Sequence, residues 1–333
     1  MKEQQFIDII KASLPLSSHY IGDDTAYIPE KDLILTQDTL IEDVHFRKAT
    51  ISPFDLGIKS IAVNLSDIAA SGGVPAYILI SLSLPEHIKE DFVRSFYEGV
   101  NYICEKYNVL VVGGDLTRAS KITISVAVAG FSEGVKPAGR SNARVGDLVI
   151  VTGEFGSGRA GLWLLETGLN NPDLLKNIPE SVVGKFIKKH VNPVPRLKEG
   201  RTIAETCIIS PPALMDASDG LADALYKICL QSNAGMKIHF EDIPVDEDIK
   251  LIADVAGEDY QKWVLYGGED YELVGTVTED CFKELKRRQL KVKVIGKVIP
   301  SGERPAFYID IDKNTMEVDS SVLDSQIFSH FGC

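Results

Sequence analysis

Cysteine is scarce and dispersed. The five residues Cys104, Cys207, Cys229, Cys281 and Cys333 are odd in number and form no CxxC pair, which excludes a disulfide framework and a zinc ribbon and leaves buried or incidental thiols. Long apolar runs are missing as well: no uninterrupted stretch approaches the roughly 18 to 20 residues that span a bilayer. Basic charge is in deficit, with 35 Lys and Arg against 48 Asp and Glu and a net charge of -13. No basic stripe or aromatic-basic interleaving offsets it, so a nucleic-acid surface is not expected. The runs Lys188-Lys189 and Lys286-Arg287-Arg288 read as solvated helix faces. The opening MKEQQFIDIIKASL has neither the apolar stretch nor the small-residue cleavage site of a signal peptide. It reads as an amphipathic helix with Phe6, Ile9 and Ile10 inward, and the expected location is the cytoplasm.

What the chain does have is length, a core and aspartates. Its 333 residues exceed what one ordinary core serves, and 44% apolar composition supplies two, so two α/β domains are expected. Asp24 in GDDTA, Asp38 in LTQDTL, Asp67 in NLSD, Asp115 in VVGGD, and Asp216 and Asp219 in MDASDG stand mostly beside small residues or glycine. Carboxylates so placed can reach one centre, and several together need cations to neutralise them. This predicts a multi-metal phosphate site.

The coarse elements place these residues. Leu33 to Leu40 reads as a strand and Asp55 to Ser71 as a helix that stops at Gly72-Gly73. That helix carries an apolar stripe of Ile58, Ile61, Leu65 and Ile68, and a second stripe of Ser60, Asn64, Asp67 and Ser71 that is polar but nearly uncharged. A line of small hydrogen-bonding residues around one carboxylate suits a site wall better than a solvated face. Phe92 to Tyr107 reads as a helix, NVLVVGGD as a strand with Asp115 just past its end, and Ile122 to Phe131 as an alternating strand. The loop RSNARVGD leads into a strand at Leu148 to Thr152, which puts a domain boundary near 140 to 147 and gives units 1–143 and 144–333. Gly153 to Ala160 nearly matches a P-loop, but Arg159 and Ala160 replace the phosphate lysine and the magnesium hydroxyl. Strand-to-helix closure is the better reading, with the loop amides still able to touch an anion. Residues 170 to 200 are rich in proline and should break into short helices and loops. In MDASDGLADALYKIC, Ser218 or Asp219 is placed to cap a helix burying Leu221, Leu225 and Ile228. LYGGEDYELVGTV ends in a strand and begins as a loop able to hold a ligand.

Taken in order, GDDTA, TQDTLIEDVHF, GIKSIAVNLSDIAASGGVPAY, VVGGDLTR, RSNARVGD, MDASDGL and YGGEDYEL give the chain a resemblance, over nearly its whole length, to the thiamine-monophosphate kinase family. That family sits in the ATP-binding superfamily of aminoimidazole ribonucleotide synthetase and selenophosphate synthetase. The resemblance implies two α/β domains, a homodimer formed by pairing of N-terminal sheets, and ATP in the cleft. It implies Mg²⁺ at Asp24, Thr36, Gln37, Asp38, Asp67, Asp115, Asp216 and Asp219. ATP contacts would fall at Tyr97, Gly114, Asp115, Arg140 and Ser218, and thiamine monophosphate at His45, Glu269 and an aromatic near the C-terminus, Phe328. Asp67, Asp115 and Arg140 would act on the reacting groups. Gln37 departs from the small hydroxyl residue usual there, and Phe328 from the commoner Trp or Tyr.

The chemistry agrees with that resemblance. A phosphate monoester acceptor has a second pKa near 6, so its oxygen is ionised at neutral pH and needs little general-base help. The difficulty is bringing two polyanions together, which metals and an arginine answer. Direct in-line transfer to thiamine monophosphate is therefore expected. A sister activity, cyclo-ligation or selenophosphate synthesis, would keep the aspartates and change the acceptor pocket, although no Cys and Lys pair precedes the first aspartate motif as the latter would require. A non-catalytic calcium-type binder would cluster its ligands within about 12 residues, whereas these spread over about 200.

Overall fold

A computed structural model of the chain describes residues 3–327. It holds two β-sheets. In the first, β1 (Ala26–Ile28), β2 (Leu33–Ile41), β3 (Val74–Leu84), β4 (Leu110–Arg118) and β5 (Thr123–Phe131) lie in the order β1-β2-β5-β3-β4. Only the β3/β4 pair is parallel among them. The second sheet is built from β6 (Leu148–Val151), β7 (Ala213–Asp216), β8 (Ala234–His239), β9 (Leu273–Val277), β10 (Lys293–Pro300), β11 (Phe307–Ile311) and β12 (Asn314–Val318), in the order β12-β11-β8-β10-β6-β9-β7. It is antiparallel except where β11 meets β8. The helices are α1 (Glu3–Ser13), α2 (Pro53–Ser71), α3 (Glu90–Tyr107), α4 (Ser157–Asn170), α5 (Pro172–Leu175), α6 (Glu180–Val191) and α7 (Leu197–Thr206). They continue with α8 (Leu221–Ser232), α9 (Asp248–Ala256), α10 (Tyr260–Tyr266), α11 (Glu279–Arg287) and α12 (Ser320–Gln326). Among the described residues no helix is long and apolar enough to cross a membrane.

Helix α2 organises the molecule. The Ser52 hydroxyl accepts the Asp55 amide, Pro53 occupies the first turn, and Gly72 closes the other end in a left-handed conformation (φ 71°). Such a cap is worth about 1 kcal/mol. One face packs on the first sheet and α3, with Ile58, Ile61, Leu65 and Ile68 in a core shared with Ile34, Ile78, Val126 and Phe96. The axes approach closely because Gly57 of α2 faces the Phe96 carbonyl and Gly99 of α3 faces the Phe54 carbonyl, where any Cβ would collide. Another face, through Ala69 and Ala70, joins Ile150, Ile203, Leu214 and Leu273 of the second layer. The second sheet is thus covered on both sides. Val149, Val151, Ala213, Met215 and Val274 turn toward α8, and Ile150, Leu214 and Leu273 turn toward α2 and α7, as a period of two requires.

Several expectations change. Phe6, Ile9 and Ile10 are not inward: they are 37%, 53% and 46% exposed, because α1 carries its apolar stripe at the surface of the chain. Asp115 lies inside β4, not beyond its end. Gly220, at φ 111°, is the N-cap of α8 without a side-chain cap bond, so neither Ser218 nor Asp219 caps it. The 170–200 passage does break into short helices joined by loops: α5, α6 and the start of α7. The polar stripe of α2 walls the site only in part: Asp67 joins the carboxylates and Asn64 accepts the Asp38 amide at 2.8 Å, whereas Ser60 and Ser71 turn back to the carbonyls of Leu56 and Ile68. Lys59 and Ser66, outside that stripe, also reach the second layer, at Glu269 and Asp216.

Candidate functional site

Four elements bring carboxylates together where the sheets meet. Asp24 comes from the turn before β1, Asp38 from β2, Asp67 from α2 and Asp216 from the end of β7. One oxygen each of Asp24, Asp67 and Asp216 lies within 4.8 Å of the others. Small donors hold them: Thr36 Oγ1 donates to Asp67 Oδ2 at 2.6 Å, and Ser66 Oγ to Asp216 Oδ2 at 2.6 Å. Burial pushes the Asp216 carboxyl up to about 8, with repulsion from Asp24 and Asp38 adding to it, against the Ser66 hydrogen bond. Burial, then Asp216, Asp38 and Asp24, drive Asp67 well above the carboxylate range. Asp38 rises to about 6 through burial and the charges of Asp219 and Asp24. Such a group is poised to lose protons to a cation. Asp24 Oδ2 is moreover buried without a hydrogen-bond partner, and an all-oxygen donor set of this kind fits a hard divalent ion.

Arg140 borders the cluster. Its guanidinium pairs with Asp24, its amide donates to both oxygens of Asp23 at 3.3 Å, and its buried Nε has no hydrogen-bond partner. Burial opposes its charge, but Asp24, Asp23 and Asp216 more than restore it and raise its pKa. Lys227 of α8 sits 3.3 Å from Asp219 and 2.7 Å from Asp223. The cluster therefore has cations on its rim and carboxylates at its centre, which suits binding and neutralising phosphate oxygens.

A second group lies alongside. Glu269 occupies a left-handed position (φ 67°) and its amide donates to the Ser218 carbonyl at 2.7 Å. Its carboxylate meets Lys59 Nζ at 2.8 Å and His190 Nδ1 at 3.1 Å. Burial would raise the Glu269 pKa, yet Lys59, His190 and His45 together lower it, which puts His45 within electrostatic reach. His45 Nδ1 also accepts the Ile41 amide at 3.0 Å. Sequence reasoning missed Lys59, His190, Ser66 and Asp23. Lys59 did leave a signal, being the one charged residue between Asp55 and Asp67.

The glycine loop is committed elsewhere. The amides of Gly156 and Gly158 donate to Asp270 at 2.7 and 2.8 Å, so an internal carboxylate takes donors that could otherwise have touched a ligand anion, and the loop serves strand-to-helix closure. Burial lifts Asp270 to about 7 despite these bonds.

Family models match the two layers in turn: AIR synthase related protein, N-terminal domain, over residues 22–132, and AIR synthase related protein, C-terminal domain, over 144–307. The thiamine-monophosphate kinase of Bacillus subtilis (strain 168) is 34% identical, covering 97% of this chain and 98% of that protein. That of Aquifex aeolicus (strain VF5) is 39% identical over 81% of this chain and 84% of its own length. The solved structure of AaThiL complexed with AMPPCP and TMP superposes with a TM-score of 0.84 at 34% identity, over 99% of this chain and 97% of that one. The chain belongs to the thiamine-monophosphate kinase family.

Of the positions that family resemblance carries over, the structure assembles Asp24, Thr36, Asp38, Asp67, Asp216 and Asp219 with Arg140, and sets Glu269, His45 and Ser218 beside them. Others it does not bring in. The Gln37 side chain points to the opposite face of β2 and donates to Ser125 at 3.0 Å, since neighbours on a strand alternate. Asp115 stands on the exposed strand β4, in register with the exposed Ser81 of β3. Gly114 precedes it, and a Cβ there would collide with the Ile80 carbonyl. Tyr97 packs against the first core and meets Phe96 edge to face at 5.3 Å. Phe328 lies outside the described residues.

Proposed function

We propose that this protein transfers the γ-phosphoryl group of ATP to thiamine monophosphate, giving thiamine diphosphate and ADP. The observation that carries the reading is the match along 99% of the chain to AaThiL complexed with AMPPCP and TMP, laid over a carboxylate cluster built for cations. Asp24, Asp38, Asp67, Asp216 and Asp219 would hold Mg²⁺, which when bound screens the charge of the two phosphate groups and of departing ADP. Asp67 reaches the cluster from α2 and Asp216 from β7, so their charge repulsion is what the ion relieves. Arg140, anchored by Asp24, would turn to a phosphate oxygen its Nε–H, which makes no hydrogen bond and lies 3.8 Å from Asp23 Oδ1. Ser218 and Glu269 share a backbone hydrogen bond, which would link nucleotide and acceptor subsites. The acceptor phosphate is ionised near neutral pH and attacks in line without a phosphoenzyme.

The working form would be a cytoplasmic homodimer, with residues 1–143 binding nucleotide and metal and residues 144–333 completing the acceptor site. Supporting the dimer, Tyr77, Leu79, Leu110, Val112 and Leu116 are 44%, 50%, 61%, 58% and 70% exposed on the first sheet. Part of this face lines an apolar hollow of about 530 Å³, and edge strands rarely stay uncovered. Gln37, Gly114 and Asp115 would then stand at the subunit interface. The test offers ATP and Mg²⁺ with thiamine monophosphate, thiamine or aminoimidazole precursors in parallel and follows thiamine diphosphate by chromatography. A folded, ATP-binding protein that makes none from thiamine monophosphate would sink the assignment.

A further inference from the structure

Outside the carboxylate cluster, the feature that asks for a role is a lysine sealed between the two sheets. The Lys59 side chain is 1% exposed, and its Nζ lies 2.8 Å from Glu269 Oε1 and 3.5 Å from His190 Nε2. His190 Nδ1 in turn lies 3.1 Å from Glu269 Oε2 and 3.1 Å from the Gly158 carbonyl. Three elements converge here: α2 brings Lys59, α6 brings His190, and the turn after α10 brings Glu269. Glu269 alone of the three lines the cleft of about 360 Å³ that opens beside it, and its side chain is 27% exposed. Lys59 and His190 stand behind it.

The protonation pattern is set by the geometry. Burial and the Lys59 charge push the His190 imidazole down to about 4, so the ring is neutral in the assay range. Its two nitrogens then take opposite roles: Nε2 accepts from Lys59, and Nδ1–H donates to Glu269 and the Gly158 carbonyl. Both carboxylate oxygens are thereby fixed by donors that approach from the protein side, with remaining lone pairs left for the cleft. A lysine buried to this degree is costly unless paired. A purely structural pair could have been replaced by apolar residues, whereas this one ends on the single member of the group that a ligand can touch.

We propose that Lys59 and His190 are positioning residues that hold Glu269 ionised and in place, and so set the affinity for an acceptor bearing a cationic ring. The proposal rests on the reading that Glu269 contacts thiamine monophosphate, whose thiazolium carries a permanent positive charge. Facing Glu269 are Lys59 from α2, His190 from α6, His45 from the turn after β2, and the Tyr271 phenol from its own loop.

The experiment compares steady-state kinetics for thiamine monophosphate, at saturating MgATP, in Glu269→Gln, Lys59→Met, His190→Gln and the double variant Lys59→Met/Glu269→Gln. Glu269→Gln should raise KM roughly tenfold or more, and Lys59→Met should raise it to a similar degree with kcat changed less than about threefold. His190→Gln should raise KM by less. The double variant should match Glu269→Gln alone, since Lys59 acts only through that carboxylate. In Lys59→Met the Glu269 and His190 pair takes up one proton, so the ratio of variant to parent kcat/KM should vary between pH 6 and 9; in the double variant it should be flat. A folded Lys59→Met with parental KM and a flat ratio, beside a Glu269→Gln that raises KM, overturns the proposal alone. A Glu269→Gln with parental KM overturns the underlying assignment of Glu269. Should Lys59→Met not accumulate as folded protein, the double variant decides, because it leaves no unpaired buried charge: a KM more than about threefold above that of Glu269→Gln counts against the proposal.

Discussion

The hydroxyl of Ser66 on α2 donates to Oδ2 of Asp216 at the end of β7, at 2.6 Å, with both side chains buried. One hydrogen bond thus ties the helix of the first layer to a strand of the second and fixes the orientation of a carboxylate whose ionised form it favours. Removing the donor should leave Asp216 holding its proton more tightly. Ser66→Ala is expected to cost about 1 kcal/mol of stability and to raise the Mg²⁺ concentration needed for half-maximal turnover. A titration of activity against Mg²⁺ checks this; an unchanged midpoint would mean that Asp216 does not depend on Ser66.

Asp67→Asn should act in two opposite directions. Asp67 is the most crowded carboxylate, pushed up by burial and by Asp216, Asp38 and Asp24, so the neutral amide relieves repulsion in the metal-free fold. Its melting temperature in EDTA should rise by about 2–4 °C per kcal/mol of relief. Turnover should fall roughly a hundredfold or more, as expected when an electrostatic contact to the reacting groups is lost. Retained activity would mean that Asp67 is only structural.

The sequence spoke clearly where a residue's type is set by its own site, and less clearly where it is set by a partner far along the chain. Asp24, Asp38, Asp67 and Asp216 were legible because carboxylates flanked by small residues have few other reasons to recur, and the α2 apolar stripe was legible from period alone. Lys59 and His190 were not, because what makes them matter is Glu269, 210 and 79 residues away. The two serines of the α2 polar stripe misled for a physical reason. Ser60 and Ser71 satisfy their hydroxyls on their own helix, a local bond that looks in sequence like a surface awaiting a ligand. Asp115 and Gly114 read as a strand-end site, but they belong to an exposed edge strand.

Stability without metal should fall as pH rises from about 4 to 8. Asp38, Asp67 and Asp216 have folded pKa values above the unfolded ones, with Asp38 near 6 and Asp216 near 8. The native state therefore binds protons that the unfolded chain has released, and their contribution is complete below about pH 4 and lost as pH passes the raised values. Glu269, lowered by Lys59, His190 and His45 against burial, and His190, pushed down to about 4 by burial and Lys59, have the opposite sign, and their contributions are lost only on acidification. Thermal melts at pH 5, 6.5 and 8 should thus show a declining midpoint in EDTA, and Mg²⁺ should flatten the decline by binding the deprotonated cluster. A midpoint in EDTA that climbs toward pH 8 would refute the assignment of these carboxyls as strained.

Arg196 tests a different kind of buried charge. Its Nε donates to Glu272 Oε2 at 2.7 Å and its Nη2 to the other oxygen, while Thr152 Oγ1 donates to Oε2 at 2.7 Å. Glu272 is 5% exposed, so it depends on this bidentate pairing more than on water. Arg196→Met should strand the carboxylate and destabilise the protein by roughly 3 to 5 kcal/mol, whereas Arg196→Met/Glu272→Gln should recover most of that loss, because no charge is left unpaired. Urea unfolding of the parent and both variants reads the difference directly. If the double variant is no more stable than the single one, Arg196 contributes through packing of its stem and not through the charge of Glu272.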